Sequence, residues 1–125
     1  MRRMLLSLLF CFSCCVSSGL AQTEHYRFEQ LSEKLDWQGN AVNAVLQDHR
    51  GFLWMATWSG LFRYDGYSVK VYRQNPNNEN GLQSNKVISL FEDSQNRLWV
   101  GTYYTGFYLY DEEQDGFINY AHEAD

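Results

Sequence analysis

The sequence predicts an all-β fold of four-stranded antiparallel sheets, two of them within 125 residues. Three observations predict it. Aromatic residues make up 17 % of the chain, a density of flat rings that favours strands and loop-lined clefts over helices. Short β-branched and aliphatic runs are each bounded by turn residues, and no stretch sustains a helical period. A segment that starts at Val42 is also written a second time from Val87, at an offset of 45 residues. The hydrophobic (45 %) and charged (20 %) fractions are those of a folded chain, which excludes disorder. A formal net charge of -5 argues against nucleic acid or an anionic membrane surface as a partner of this segment, because each needs a basic footprint.

Residues 1–21 stand outside the fold. Arg2 and Arg3 precede an apolar run from Met4 to Val16, and a small-residue stretch follows from Ser17 to Ala21. With Gly19 and Ala21 at the -3 and -1 positions, this predicts a signal peptide cleaved after Ala21 and an exported, periplasmic product. Cys11, Cys14 and Cys15 raise the alternative of a lipid-attachment signal, but the residues before them, such as Phe12 and Ser13, fit such a box poorly. Cleavage removes all three cysteines, and with them disulfide and thiol chemistry. Loss of Arg2 and Arg3 takes the formal charge from -5 to -7. Residues 22–41 then contain Tyr26-Arg-Phe-Glu-Gln30, a strand patterned like the last strand of a repeat.

The repeats occupy residues 42–86 and 87–125. Val42-Asn-Ala-Val-Leu-Gln-Asp48-His-Arg-Gly51-Phe-Leu-Trp54-Met-Ala-Thr57 aligns without gaps on Val87-Ile-Ser-Leu-Phe-Glu-Asp93-Ser-Gln-Asn96-Arg-Leu-Trp99-Val-Gly-Thr102. After one inserted residue, Gly60-Leu-Phe-Arg-Tyr64-Asp65 matches Gly106-Phe-Tyr-Leu-Tyr110-Asp111. Strands are expected at Val42–Leu46, Phe52–Ala56, Leu61–Tyr64 and Val69–Tyr72, and at the equivalent places of the second copy. In the first turn Asp48 and Asp93 accept bonds from the turn's own amides. Gly51 and Asn96, the two residue types that best tolerate positive φ, close a tight hairpin of the kind that often carries a bulge. Trp54 and Trp99 sit mid-strand as packing wedges between neighbouring sheets.

Four antiparallel strands in about 45 residues is the size of a β-propeller blade, and a propeller closes with roughly four to eight blades. Two blades make an incomplete ring. The strand within residues 22–41 is expected to complete the last blade of a full-length propeller, with the sequence being the N-terminal piece of a longer protein or a truncated product. A chain of this kind alone is expected to expose blade faces and strand edges, and so to self-associate.

The segment Gly81-Leu-Gln-Ser-Asn85-Lys-Val87 through Leu98-Trp-Val-Gly-Thr102 resembles the two-component regulator propeller repeat: Gly-Leu, a polar turn with Asn, Val, an acidic-Asp pair, a turn, Leu-Trp-x-Gly-Thr, then Gly-Leu. In the first copy Gln38-Gly-Asn40 stands for the Gly-Leu turn and Ala56 for the Gly before Thr57. In the second, Asn96 replaces the turn Gly and Phe107 the Leu. The resemblance covers nearly all of residues 24–121, and the opening Tyr26-Arg-Phe-Glu-Gln-Leu-Ser32, with the propeller starting at once, is similar to the sensor ends of hybrid two-component histidine kinases. That resemblance implies propellers in the periplasm that sense oligosaccharides, followed by a β-sandwich, a membrane helix, and cytoplasmic kinase, receiver and DNA-binding modules. It implies downstream blades and a kinase as partners, membrane attachment only through those downstream parts, and a homodimer at full length.

Catalytic, cofactor and metal sites are not expected in this segment. His25, His49 and His122 are isolated from one another, no Ser/His/Asp grouping has a recognisable spacing, and no phosphate loop or kinase phospho-acceptor region is present. The run Asp111-Glu-Glu-Gln-Asp115 is expected to be a solvated hairpin turn. The expected ligand contacts are Trp58, Tyr103 and Tyr104, in equivalent loops between the second and third strands, where rings stack on the apolar faces of sugars. Asp48, Gly51, Trp54, Thr57 and Gly60, with Asp93, Asn96, Trp99, Thr102 and Gly106, are the structural residues of the repeat. Two other functions compete with the sensor. One is an enzyme: a glycan-cleaving propeller, or a quinone-dependent dehydrogenase, whose tryptophan-docked blades Asp48-x-x-Gly51-x-x-Trp54 resembles. The other is a scaffold that holds protein partners in the envelope.

Overall fold

Eight strands run through residues 41–120, the part of the chain that the computed structural model describes. The expected signal segment and the strand read at Tyr26–Gln30 lie outside the described residues, as do His25 and His122. Strands β1 (Val42–Gln47), β2 (Leu53–Thr57), β3 (Gly60–Tyr64) and β4 (Val69–Tyr72) form one antiparallel sheet in sequence order. Strands β5 (Val87–Glu92), β6 (Leu98–Thr102), β7 (Phe107–Asp111) and β8 (Gly116–Asn119) form the second in the same way. The all-β expectation and its four-stranded sheets hold.

Each hairpin follows from its turn residues. In the β1–β2 turn Gly51 takes φ 89, and at the same place in the second sheet Asn96 takes φ 60, a region that Gly enters freely and Asn tolerates. The register runs unbroken into this turn, from Ala44 opposite Ala56 to Gln47 opposite Leu53. The turn closes as expected, with a left-handed residue and its bulge: the Gly51 amide donates to the Asp48 carbonyl and the Asp48 amide to the Phe52 carbonyl, both at 2.9 Å, and Asp93, Asn96 and Arg97 repeat the pair at 3.0 Å. A further irregularity lies at the far end of the strand, between Val42 and Ala44, and recurs between Val87 and Ser89.

Period-2 alternation then decides what packs. Trp54 and Ala56 face one side of the first sheet, with Leu61 and Tyr72 from the neighbouring strands. Leu98 and Val100 face the opposite side of the second sheet, with Tyr108, Tyr110 and Phe117. These two faces meet and form the main core. Leu82, in the connector between the sheets, is 1 % exposed and seals the same core. Asn43 crosses the gap, its side-chain amide donating to the Val87 carbonyl at 2.8 Å. Met55 and Phe62 are buried on the other side of the first sheet, with Tyr64, Val69 and Val71 around them.

The run from Asp111 to Asp115 is the expected hairpin turn, between β7 and β8, exposed at Glu112, Glu113 and Gln114, and Asp115 alone departs from expectation. Half-buried, Asp115 (φ 48) turns its carboxylate towards the tyrosines between the sheets. Its Oδ1 accepts from the hydroxyls of Tyr72, at 2.6 Å, and Tyr110, at 2.7 Å. Oδ2 accepts from Lys70, and Arg63 donates to the Tyr110 oxygen at 2.7 Å. A carboxylate in reach of two tyrosines and two cations gains more from these than from water, which overrides the acidic look of the run.

Candidate functional site

The structural residues of the repeat fall in matching places. Asp48 Oδ1 accepts from the amides of Arg50 and Phe52, both at 3.0 Å, and Oδ2 from the Trp54 indole at 2.8 Å. Asp93 does the same with Gln95 and Arg97, and takes the Trp99 indole at 3.0 Å. Burial raises the Asp48 carboxyl, and the bonds from Trp54, Phe52 and Arg50 outweigh it, so its pKa lies below the ordinary value. For Asp93 the Trp99 bond leads, and the shift is likewise downward. The indole bond was not read from the sequence, although an Asp six residues before a Trp in both copies is its signal.

At the other end of β2, Thr57 donates its hydroxyl to the Gly60 carbonyl at 2.8 Å and accepts from the Ser59 amide. Thr102 repeats this with Gly106 and Thr105. Gly60 (φ 134) and Gly106 (φ 81) let these turns close. The two wedges differ in cover. Trp54 is fully buried, edge-on to Tyr110 of the second sheet at 4.9 Å and stacked on Tyr72. Trp99 packs against Tyr120 and lines an open apolar depression of ≈ 410 Å³ with Phe91 and Phe107. Its local bonds match those of Trp54, but among the described residues no third sheet covers it.

The three expected ligand contacts come together. Trp58 and Tyr103 meet edge-on with centroids 5.8 Å apart, and Tyr103 meets Tyr104 at 4.7 Å. The turn-anchoring threonines put these rings at one rim, where the β2–β3 and β6–β7 turns lie side by side. The rings stay exposed, at 42 %, 58 % and 69 %. Lys86 is the member that sequence reasoning missed. The Tyr103 amide donates to its carbonyl at 2.9 Å, and its ammonium lies 5.1 Å from the Tyr104 ring centroid and 5.9 Å from that of Trp58. A meander returns the chain to the same rim every second strand, so the residue entering β5 had to stand beside these turns.

Other candidates stay apart. His49 bonds Glu92 through both its amide and its Nδ1. Among the described residues no group of three or more His, Cys, Asp or Glu side chains could hold a metal ion.

Comparison with known proteins agrees with the geometry. Residues 36–59 and 81–104 match the family profile described as Two component regulator propeller. A histidine kinase P4 of Formosa agariphila is 32 % identical over 71 residues, which is 57 % of this chain and 5 % of the relative. The crystal structure of the extracellular domain of a hybrid two component system from B. thetaiotaomicron superposes with a TM-score of 0.63 at 33 % identity, covering 77 % of this chain and 14 % of that one. The chain therefore spans only a small part of the proteins it resembles.

Proposed function

We propose that this chain, which carries two two-component regulator propeller repeats, is the ligand-sensing propeller portion of an exported receptor of the hybrid two-component type, and that its ligand is an oligosaccharide. The observation that carries the proposal is the gathering of Trp58, Tyr103 and Tyr104 on one rim, exposed, with Tyr103 5.8 Å from Trp58 and 4.7 Å from Tyr104 between ring centroids. Exposed rings in contact offer the faces on which sugar rings stack, and the turns that hold them come from adjacent blades. A ligand spanning both turns binds most tightly to one arrangement of the blades, and that differential affinity is what shifts a receptor between states. Transmission would pass through further blades to a dimeric kinase. This segment contributes recognition rather than a chemical step.

Replacing Trp58 by Ala in the full chain tests the reading. Titration with neutral and acidic oligosaccharides, followed by calorimetry, is expected to show affinity falling about tenfold on loss of the ring. Unaltered affinity with an unaltered melting curve would remove Trp58 from the site.

A further inference from the structure

The aromatic rim also carries the two Lys or Arg side chains that, among the described residues, are joined to no carboxylate. Strands β1, β3, β5 and β7 run away from this rim and β2, β4, β6 and β8 run back towards it. The turns that follow the odd-numbered strands therefore share the far rim. Every Asp and Glu of the eight strands and their hairpin turns lies there, in a turn or at the strand end leading into it. Glu79, in the connector between the sheets, is the further acid among the described residues. The far rim also holds its own cations: Arg97 pairs with Asp93, Arg50 with Asp48 and Glu112, and Lys70 and Arg63 with Asp115.

Lys86 and Arg73 stand at the aromatic rim, and among the described residues neither is joined to a carboxylate. Arg73 Nε donates to the Ser59 carbonyl at 3.0 Å, which fixes its guanidinium beside the turn that bears Trp58. The Lys86 ammonium sits over Trp58 and Tyr104. A sugar stacked on those faces brings its ring substituents to the ammonium. A hydroxyl there gains a modest bond, whereas a carboxylate or sulfate gains a charge-assisted one. The formal charge of -5 conceals this, because among the described residues the acids of the strands and their hairpin turns are gathered at the opposite rim.

We infer that the rim formed by Trp58, Tyr103, Tyr104, Lys86 and Arg73 selects acidic oligosaccharides, those bearing uronate carboxylates or sulfate esters. The inference rests on the sugar-platform reading above and narrows it to one ligand class.

Matched pairs test it: an oligogalacturonate against its methyl ester, and a sulfated galactan oligosaccharide against its desulfated twin, each titrated into the full chain at low and at physiological salt. At least one charged member should bind about tenfold tighter than its neutral twin at low salt, with the gap narrowing as salt rises. Preference confined to one pair identifies carboxylate or sulfate as the source. Lys86→Gln should abolish the preference and Lys86→Arg retain it, and neither exposed substitution disturbs the core. Twins that bind alike overturn the acidic class and leave the platform standing. A preference that survives Lys86→Gln, or no binding by either charged sugar, overturns the inference. Sensitivity to Lys86→Gln with none to Trp58→Ala would instead sink the platform while keeping the charge selection.

Discussion

Asp48 and Asp93 make the same bonds under different cover, and the difference is measurable. Each carboxylate closes its turn through two backbone amides and holds the indole six residues on. Trp54 has no access to water, so Asp48→Ala strands its indole N–H inside the core and also frees the half-buried turn amides. Leaving buried donors unpaired makes this substitution cost about 2–3 kcal/mol. Trp99 lies at the open depression, where water replaces the lost acceptor, so Asp93→Ala should cost clearly less. Urea denaturation of the two variants checks the order: equal losses, or the reverse ranking, would show that the cover of the indole does not set the penalty.

At the scale of the strand pair, one departure between the two copies has a steric cause. Ala56 in β2 stands where Gly101 stands in β6, and the residues opposite them are Ala44 and Ser89. A Cβ built on Gly101 would come within 2.1 Å of the Ser89 hydroxyl. Small faces small in one sheet, and glycine faces serine in the other. Gly101→Ala should therefore destabilise by about 1 kcal/mol, and adding Ser89→Ala should recover most of that, because the double variant recreates the Ala44–Ala56 pair. Additive losses in a double-mutant cycle would reject the compensation. The strands and turns themselves were legible in the sequence, since alternation in β2 and β6 and the Asp48–Gly51 and Asp93–Asn96 turns are local patterns read within a few residues. What escaped were contacts made across the fold. Lys86 meets Trp58 only because the chain re-enters the second sheet at that rim, and Asp115 reaches Tyr72 from a turn whose composition reads as solvated. The irregularity at the start of β1 and β5 escaped too, because one extra residue can be absorbed at either end of a strand.

For the molecule as a whole, Asp115 ties the sheets together, and its titration should be visible in acid. It joins Tyr72, Lys70 and Arg63 of the first sheet to Tyr110 of the second. Burial works to raise its carboxyl, but Lys70, the two tyrosine hydroxyls and Arg63 prevail and bring it from 3.8 to about 2. Burial and the same carboxylate push the Tyr72 hydroxyl well above its ordinary value, so the tyrosine remains a donor throughout. A carboxyl depressed in the folded state stabilises the protein above its unfolded pKa, and that stabilisation is lost as pH falls through the folded value. The window for Asp115 is thus from about pH 4 down to about pH 2. Asp115→Asn keeps a side chain that accepts the left-handed φ of 48, and at neutral pH it should cost about 1 kcal/mol, held low by the solvent that reaches the site. Asp48 and Asp93 are depressed in both proteins and cancel in the comparison. The variant should therefore lose stability less steeply than the parent between about pH 4 and pH 2, so that the two curves converge. Curves that stay parallel through that window would mean that Asp115 does not carry its charge into the contact between the sheets.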